Sequence, residues 1–290
     1  MLEISNLEVK YKNFSALKIK EKIKVNENDF VGVIGSNGAG KTTLIKAITN
    51  QVHYKGSIVK PNKISVHLQE NNYPTVLTCK TIIEGLLKTT IKKDKKLKNL
   101  IDYFDFNDLL KRKVGQLSGG QKQKITLIMV LYQEAPLTCF DEMTTGLDFE
   151  ARNKLMENIQ AWYKEKKAAL LLISHYYEEL EKLANKLLII DKGEIIDFDY
   201  IDKLFLKHVG YSAIVVEDEN LEMFNDKKIQ SKKGTQAFSI RNKQEETEIA
   251  QELIKRDKKF SISRNSISLI YLNAIYNRRN SEEKKDDTLY

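Results

Sequence analysis

The chain has 290 residues, 41% of them hydrophobic, with 48 Lys and Arg against 40 Asp and Glu and a formal net charge of +8. This is enough chain for one sizeable α/β domain and a smaller unit, while no run approaches the roughly 18 apolar residues of a membrane span and Met1-Leu2-Glu3-Ile4 is not a secretory leader, so a cytosolic chain is expected. Cys79 and Cys139 stand far apart and the 4 histidines are scattered, which argues against a disulfide framework or a zinc site, and lysine is spread over nearly every segment, which reads first as a solvated surface and second as attraction to anionic headgroups.

In chain order, Leu2 to Val9 and Ala16 to Val25 alternate apolar and polar residues, the pattern of half-buried strands in an antiparallel flap. Phe30 to Ile34 is a short apolar strand, followed by the glycine-rich Gly35-Ser36-Asn37-Gly38-Ala39-Gly40-Lys41-Thr42 and a helix over Thr42 to Ile48. Ile64 to Leu68 reads as another strand. Spaced leucines from Thr81 to Leu110 predict a small helical subdomain, with Lys88 to Lys98 as the polar face of a helix. Ile125 to Tyr132 continues a helix into the buried strand Leu137 to Phe140. Ala169 to Ile173 and Leu187 to Ile190 are further fully apolar runs, and such runs separated by helices imply a largely parallel sheet.

The composition changes near Lys207 to Gly210. Beyond it, Ala213 to Val216 and Ala237 to Ile240 read as strands, and Glu245 to Lys255 and Ile267 to Tyr276 as helices. The fold class is therefore α/β, with a domain over 1–208, a helical subdomain at about 78–133 and a small α+β appendage over 209–280. The charged, aperiodic 281–290 reads as a disordered tail.

Strand, glycine-rich loop and helix are the context of a phosphate-binding loop. Its backbone N–H groups, from Gly35 to Thr43, can surround phosphates at the positive end of a helix dipole. Lys41 would reach the β- and γ-phosphates, and Thr42 would ligate Mg²⁺. Asp141 ends an apolar strand, where a carboxylate is costly unless it meets a cation, so it is the second candidate ligand for Mg²⁺. Glu142, one residue further and clear of the strand, is the candidate general base.

Between these two sites lies Leu117-Ser118-Gly119-Gly120-Gln121. This order of motifs resembles the ATP-binding-cassette (ABC) ATPases over residues 1 to 208. The resemblance implies a P-loop ABC ATPase that binds ATP and Mg²⁺, in which Ser118, Gly119 and Gly120 grip the γ-phosphate bound by another subunit and Gln121 belongs to the same nucleotide-binding set. Gln69 matches the residue that touches Mg²⁺ and signals to a membrane partner, His175 the histidine that contacts the γ-phosphate, and Gly146-Leu147-Asp148 the loop joining the two sites across a dimer. Tyr11 stands near the place of an adenine-stacking aromatic, with packing of a flap tyrosine as the other reading. Met143, Lys124, Cys139 and Lys12 depart from the family's usual residues, and none of them removes a catalytic group.

One cassette without a long coiled coil looks like a transporter ATPase, expected as a homodimer or heterodimer on the cytoplasmic face of the cell membrane, bound to separate polytopic membrane subunits and not to nucleic acid. The appendage, ending in Asn265 to Leu272, resembles the tail of ABC-2 type exporter ATPases, including those exporting cytolytic peptides such as phenol-soluble modulins. Peptides or amphiphilic drugs are thus the expected cargo. Two other readings stand beside it: a soluble ABC-type ATPase acting on nucleic acid or the ribosome, and a transporter serving self-immunity.

Overall fold

A computed structural model describes residues 1–68, 72–219 and 221–287. Gln69 therefore lies outside the described residues. In β1 (Leu2–Tyr11), Leu2, Ile4, Leu7 and Val9 are buried while the residues between them are less so, as the alternation predicts. The run expected over Ala16 to Val25 is divided into β2 (Phe14–Ile19) and β3 (Ile23–Val25). Both pair antiparallel with β1, one with each end of it, and the polar Lys20-Glu21-Lys22 turn separates them.

β4 (Phe30–Ile34) leads through the glycine-rich loop into α1 (Lys41–Ile48). β5 (Lys55–Val59) then joins the antiparallel flap beside β1, and β6 (Ile64–His67) enters the main sheet. α2 (Cys79–Leu87), α3 (Lys95–Tyr103) and α4 (Gly119–Tyr132) supply the helical part. The lysine-rich 88–98 is not one helix face: Lys88 ends α2 in a left-handed conformation and Asp94 caps α3 by accepting from the Leu97 N–H. β7 (Leu137–Asp141), α5 (Phe149–Tyr163), β8 (Ala169–Ile173), α6 (Tyr177–Leu183) and β9 (Lys186–Asp191) alternate, followed by β10 (Glu194–Tyr200) and α7 (Ile201–His208).

The main sheet runs β3-β1-β2-β10-β9-β4-β8-β7-β6, with β5 beside β1. From β9 to β6 all neighbours are parallel. Alternate residues of these strands feed two cores. Ala169, Leu171 and Ile173 pack with the flap and α1, and Leu170 and Leu172 join the core that holds α4, α5 and α6. Each fully buried Leu or Ile contributes about 1.5–3 kcal/mol, so both faces of the sheet hold the strand ends in place.

The appendage is a second sheet, of β11 (Ser212–Val216), β12 (Lys228–Ile229), β13 (Gln236–Ile240) and, after α8 (Lys243–Lys255), β14 (Phe260–Ser263), in the order β12-β13-β11-β14. Ile214, Val216, Phe238 and Ile240 bury one face with Ile249 and Leu253 of α8. Ala213 and Ala237 turn the other way, into the core shared with α7 and with α9 (Ile267–Asp287). Helix α9 runs as far as Asp287, within the stretch 281–290 expected as a tail, and residues 288–290 lie outside the described residues.

Candidate functional site

The glycine-rich loop is shaped by close backbone contacts. A Cβ on Gly35 would stand 2.1 Å from the Ile190 carbonyl oxygen, and Gly40, at φ +106°, would place one 2.7 Å from the Ala16 carbonyl oxygen. Side chains are excluded there, so the loop lies against β9 and β2 with its N–H groups at the start of α1. Lys41 Nζ folds back over the loop and donates to the carbonyl oxygens of Gly35 (2.8 Å) and Ser36 (3.0 Å). Burial lowers its pKa, while the charges of Glu142 and Asp141 work in the opposite direction. Ser36 Oγ donates to Asp191 Oδ1 at 3.3 Å.

Asn37, Gly38, Ala39, Gly40, Lys41, Thr42 and Thr43 line one pocket of about 290 Å³ together with Glu142, Tyr11, Phe14 and Ala16. Glu142 reaches this pocket from the end of β7, which is separated from β4 by β8 alone. Tyr11 is thus at the mouth of the phosphate loop, 44% exposed, and Phe14, its register partner across the hairpin, is 65% exposed. Phe14 is a site residue that the sequence reading missed. The signal was two aromatics flanking the tight Lys12-Asn13 turn, whose Lys12 has φ +53°. Large exposed rings at the rim of a polar pocket suit stacking on a flat heterocycle.

Asp141 is fully buried, and both of its carboxylate oxygens lack a hydrogen-bond partner. Burial raises its pKa, the Thr42 hydroxyl next to it opposes that shift, and Glu142 reinforces it. A buried carboxylate whose desolvation is only partly offset by the Thr42 hydroxyl and the Lys41 and Lys46 charges fits a hard divalent cation such as Mg²⁺, which takes few protein oxygens and completes its shell with phosphate and water. Among the described residues no group of three or more His, Cys, Asp and Glu offers an all-protein metal cage.

Glu142 leaves the strand at φ +51°, a left-handed conformation that costs about 1–2 kcal/mol outside glycine. Its N–H donates to the Ile173 carbonyl (3.0 Å), which fixes the turn. His175 Nε2 lies 2.7 Å from Glu142 Oε1. The structure therefore brings Lys41, Thr42, Asp141, Glu142 and His175 together at the ends of neighbouring strands.

Ser118, Gly119, Gly120 and Gln121 lie elsewhere. Ser118 caps α4 by accepting from the Gln121 N–H, while Gln121 Oε1 accepts from the Ser118 N–H. This reciprocal cap satisfies two backbone donors and leaves the glycine-lined helix start open. The four residues line a pocket of about 340 Å³ with Gly146, Leu147 and Asp148, and no phosphate-loop residue lines it. Asp148 Oδ1 accepts from the Ala151 N–H at 2.8 Å and so caps α5. One chain thus carries two separate polar half-sites.

A model of the ABC transporter family matches residues 20–145. The thiamine import ATP-binding protein ThiQ of Haemophilus ducreyi is 31% identical over 191 residues, covering 60% of this chain and 89% of that protein. The methionine import ATP-binding protein MetN of Clostridium tetani is 28% identical over 244 residues, 76% of each chain. Among solved structures, the ATP-binding subunit of an ABC transporter superposes with a TM-score of 0.64 at 22% identity, over 71% of this chain and 92% of that one. A dimeric ATP-binding cassette in a post-hydrolysis state with ADP and Pi gives 0.63 at 20% identity, over 69% and 98%.

Proposed function

This chain belongs to the ABC transporter family as an ATP-binding subunit and ATPase, and from that premise we propose that it powers an exporter of peptides or amphiphilic drugs. The observation that carries the ATPase reading is the constellation of Lys41, Asp141, Glu142 and His175 around the phosphate loop, with His175 Nε2 2.7 Å from the Glu142 carboxylate.

In this reading the loop N–H groups and Lys41 hold the β- and γ-phosphates, and Tyr11 with Phe14 receives the adenine. Thr42 and Asp141 would hold Mg²⁺, with Gln69 expected from the family resemblance as a further ligand; when bound, the ion would supply neutralisation of the phosphate charge. The Glu142 carboxylate accepts a proton from the attacking water, and His175 orients that carboxylate and faces the γ-phosphate. The separate pocket of Ser118, Gly119, Gly120 and Gln121 supports a head-to-tail pair in which a second ATPase subunit completes each site. Closure would occur with ATP, and hydrolysis would release it, driving separate membrane subunits from their cytoplasmic side. Among the described residues no helix is long and apolar enough to cross a membrane.

Export rests on the α+β appendage, which lies outside the 20–145 match. Import is the second reading, favoured by the names of relatives such as the thiamine and methionine import ATP-binding proteins. The test is to isolate the Glu142→Gln chain with ATP from detergent-solubilised membranes of its host and identify what is bound. A polytopic membrane protein with a bound peptide would support export. A solute-binding protein in the complex would establish import instead, and ribosomal proteins or DNA factors without a membrane partner would overturn both.

A further inference from the structure

Helix α6 spans only Tyr177–Leu183 and begins two residues after His175. A helix of seven residues is not stable by itself, so its position is set by what grips it. On the cassette side the grip comes from α5. Arg152 Nε lies 3.6 Å from Glu179 Oε1, and its guanidinium stacks on the Tyr176 ring at 3.8 Å. The buried Glu179 accepts from Ser174 Oγ at 2.6 Å, and Ser174 Oγ accepts from the Tyr176 N–H at 3.0 Å. The residues on both sides of His175 are therefore tied to one carboxylate.

The opposite side of α6 is held by the appendage. The Tyr271 ring of α9 packs on Tyr177, with centroids 6.2 Å apart, and Lys232 Nζ lies 5.9 Å from the same Tyr177 ring. Glu181 Oε1 accepts from the Ile267 N–H at 2.9 Å, at the first residue of α9. Leu180 and Leu183 share a buried core with Ile267 and Ile270. Helix α9 is in turn fastened to the appendage, because Asn273 exchanges two hydrogen bonds with the Gln230 backbone, at 2.9 and 3.0 Å.

We infer that the appendage is a positioning element for hydrolysis: through Tyr271 and the Glu181–Ile267 contact it fixes α6 and so holds His175 against Glu142. The inference rests on the role given above to His175. It assigns the appendage an action within its own chain, at the catalytic step, because the contacts of Tyr271 and Glu181 run to α6 and its flank, which directly follow His175. Tyr271 and Glu181 are positioning residues and meet no substrate.

The experiment measures kcat and KM for ATP in the full chain carrying Tyr271→Ala, Tyr271→Phe or Glu181→Ala, each with His175 intact and with His175→Ala. Tyr271→Ala and Glu181→Ala should each lower kcat about 3- to 10-fold with KM within about twofold, the pattern of an interaction used in the transition state. Tyr271→Phe keeps the ring and should retain wild-type turnover. In the His175→Ala chain neither alanine should lower kcat further, since residues acting through one group are not additive. Glu181→Ala removes no buried ring and keeps the question open to test should Tyr271→Ala fail to fold. Unchanged kcat in both alanine variants, or losses that multiply with that of His175→Ala, would refute the inference alone. Undiminished turnover of His175→Ala by itself would refute the role of His175 and the inference with it.

Discussion

Replacing Asp141 by asparagine should make the chain more stable without nucleotide and inactive with it. The carboxylate is fully buried at the end of β7, and neither oxygen has a hydrogen-bond partner. Burial is the largest influence on its pKa and raises it, with Glu142 adding to the effect, against the Thr42 hydroxyl and Lys41. A buried polar group left unsatisfied costs about 1–3 kcal/mol, and a charged one more. The amide also lacks partners but carries no charge, so about 1–2 kcal/mol should be recovered. Lys41 keeps its bonds to the Gly35 and Ser36 carbonyls and the Glu142 charge, which limits the loss on that side. At about 2–4 °C per kcal/mol for a chain of this size, Tm should rise by about 2–8 °C. Thermal unfolding at neutral pH, with and without Mg²⁺ and ATP, measures both halves of the argument. Ligand stabilises the wild type by mass action, and the variant should gain much less. A lower Tm without nucleotide, or equal stabilisation by Mg²⁺ and ATP, would refute the view of Asp141 as a carboxylate held unsatisfied for a cation.

Glu142→Gln should cut turnover by about 10²- to 10⁴-fold, the usual worth of a general base, while equilibrium ATP binding is kept; a steady-state phosphate-release assay beside a binding titration checks it. Gly35→Ala puts a methyl group 2.1 Å from the Ile190 carbonyl oxygen, so it should destabilise by about 1–3 kcal/mol and abolish ATP binding. Gly38→Ala, with nothing within 4 Å of the added carbon, should cost only about 1 kcal/mol for its φ of +78°; urea unfolding of the two variants compares them. Although burial pushes the Asp197 carboxyl up, its bonds to His208 (2.7 Å) and Lys207 (2.6 Å) hold it at about 2, against a usual value of 3.8. A depressed carboxylate pKa contributes stability above the unfolded value and loses it as pH falls through the folded one. Asp197→Asn should therefore cost about 1 kcal/mol at pH 7, with Lys207 discounted for its exposure, and the two chains should converge as pH falls from 3.8 to about 2.

What was legible in the sequence was whatever burial or close spacing dictates. The apolar runs at Phe30–Ile34, Leu137–Asp141, Ala169–Ile173 and Lys186–Asp191 became the central strands because both faces of the sheet are covered. The strands that went unread were those held by backbone pairing with a neighbour and not by burial of both faces. β5 is exposed along most of its length and is fixed by β1, β10 carries Asp197 and Asp199 and is fixed by β9, and β14 is fixed by β11. Periodicity records burial and not hydrogen bonding, so such strands leave little trace in it.

The same distinction runs through the site. Gly35 to Lys41, and Asp141 with Glu142, act through local backbone geometry and could be located by spacing. Phe14 acts through its place across a hairpin. The contacts that hold α6 have no local signature, since Glu181 and Ile267 are 86 positions apart and Arg152 reaches Glu179 from a different helix. A short helix after the His175 strand end could be read from sequence; that its two sides are gripped by different parts of the chain could not. That arrangement ties the strand end that carries His175 to residues far beyond the cassette, and it gives the appendage a physical connection to the step proposed for Glu142.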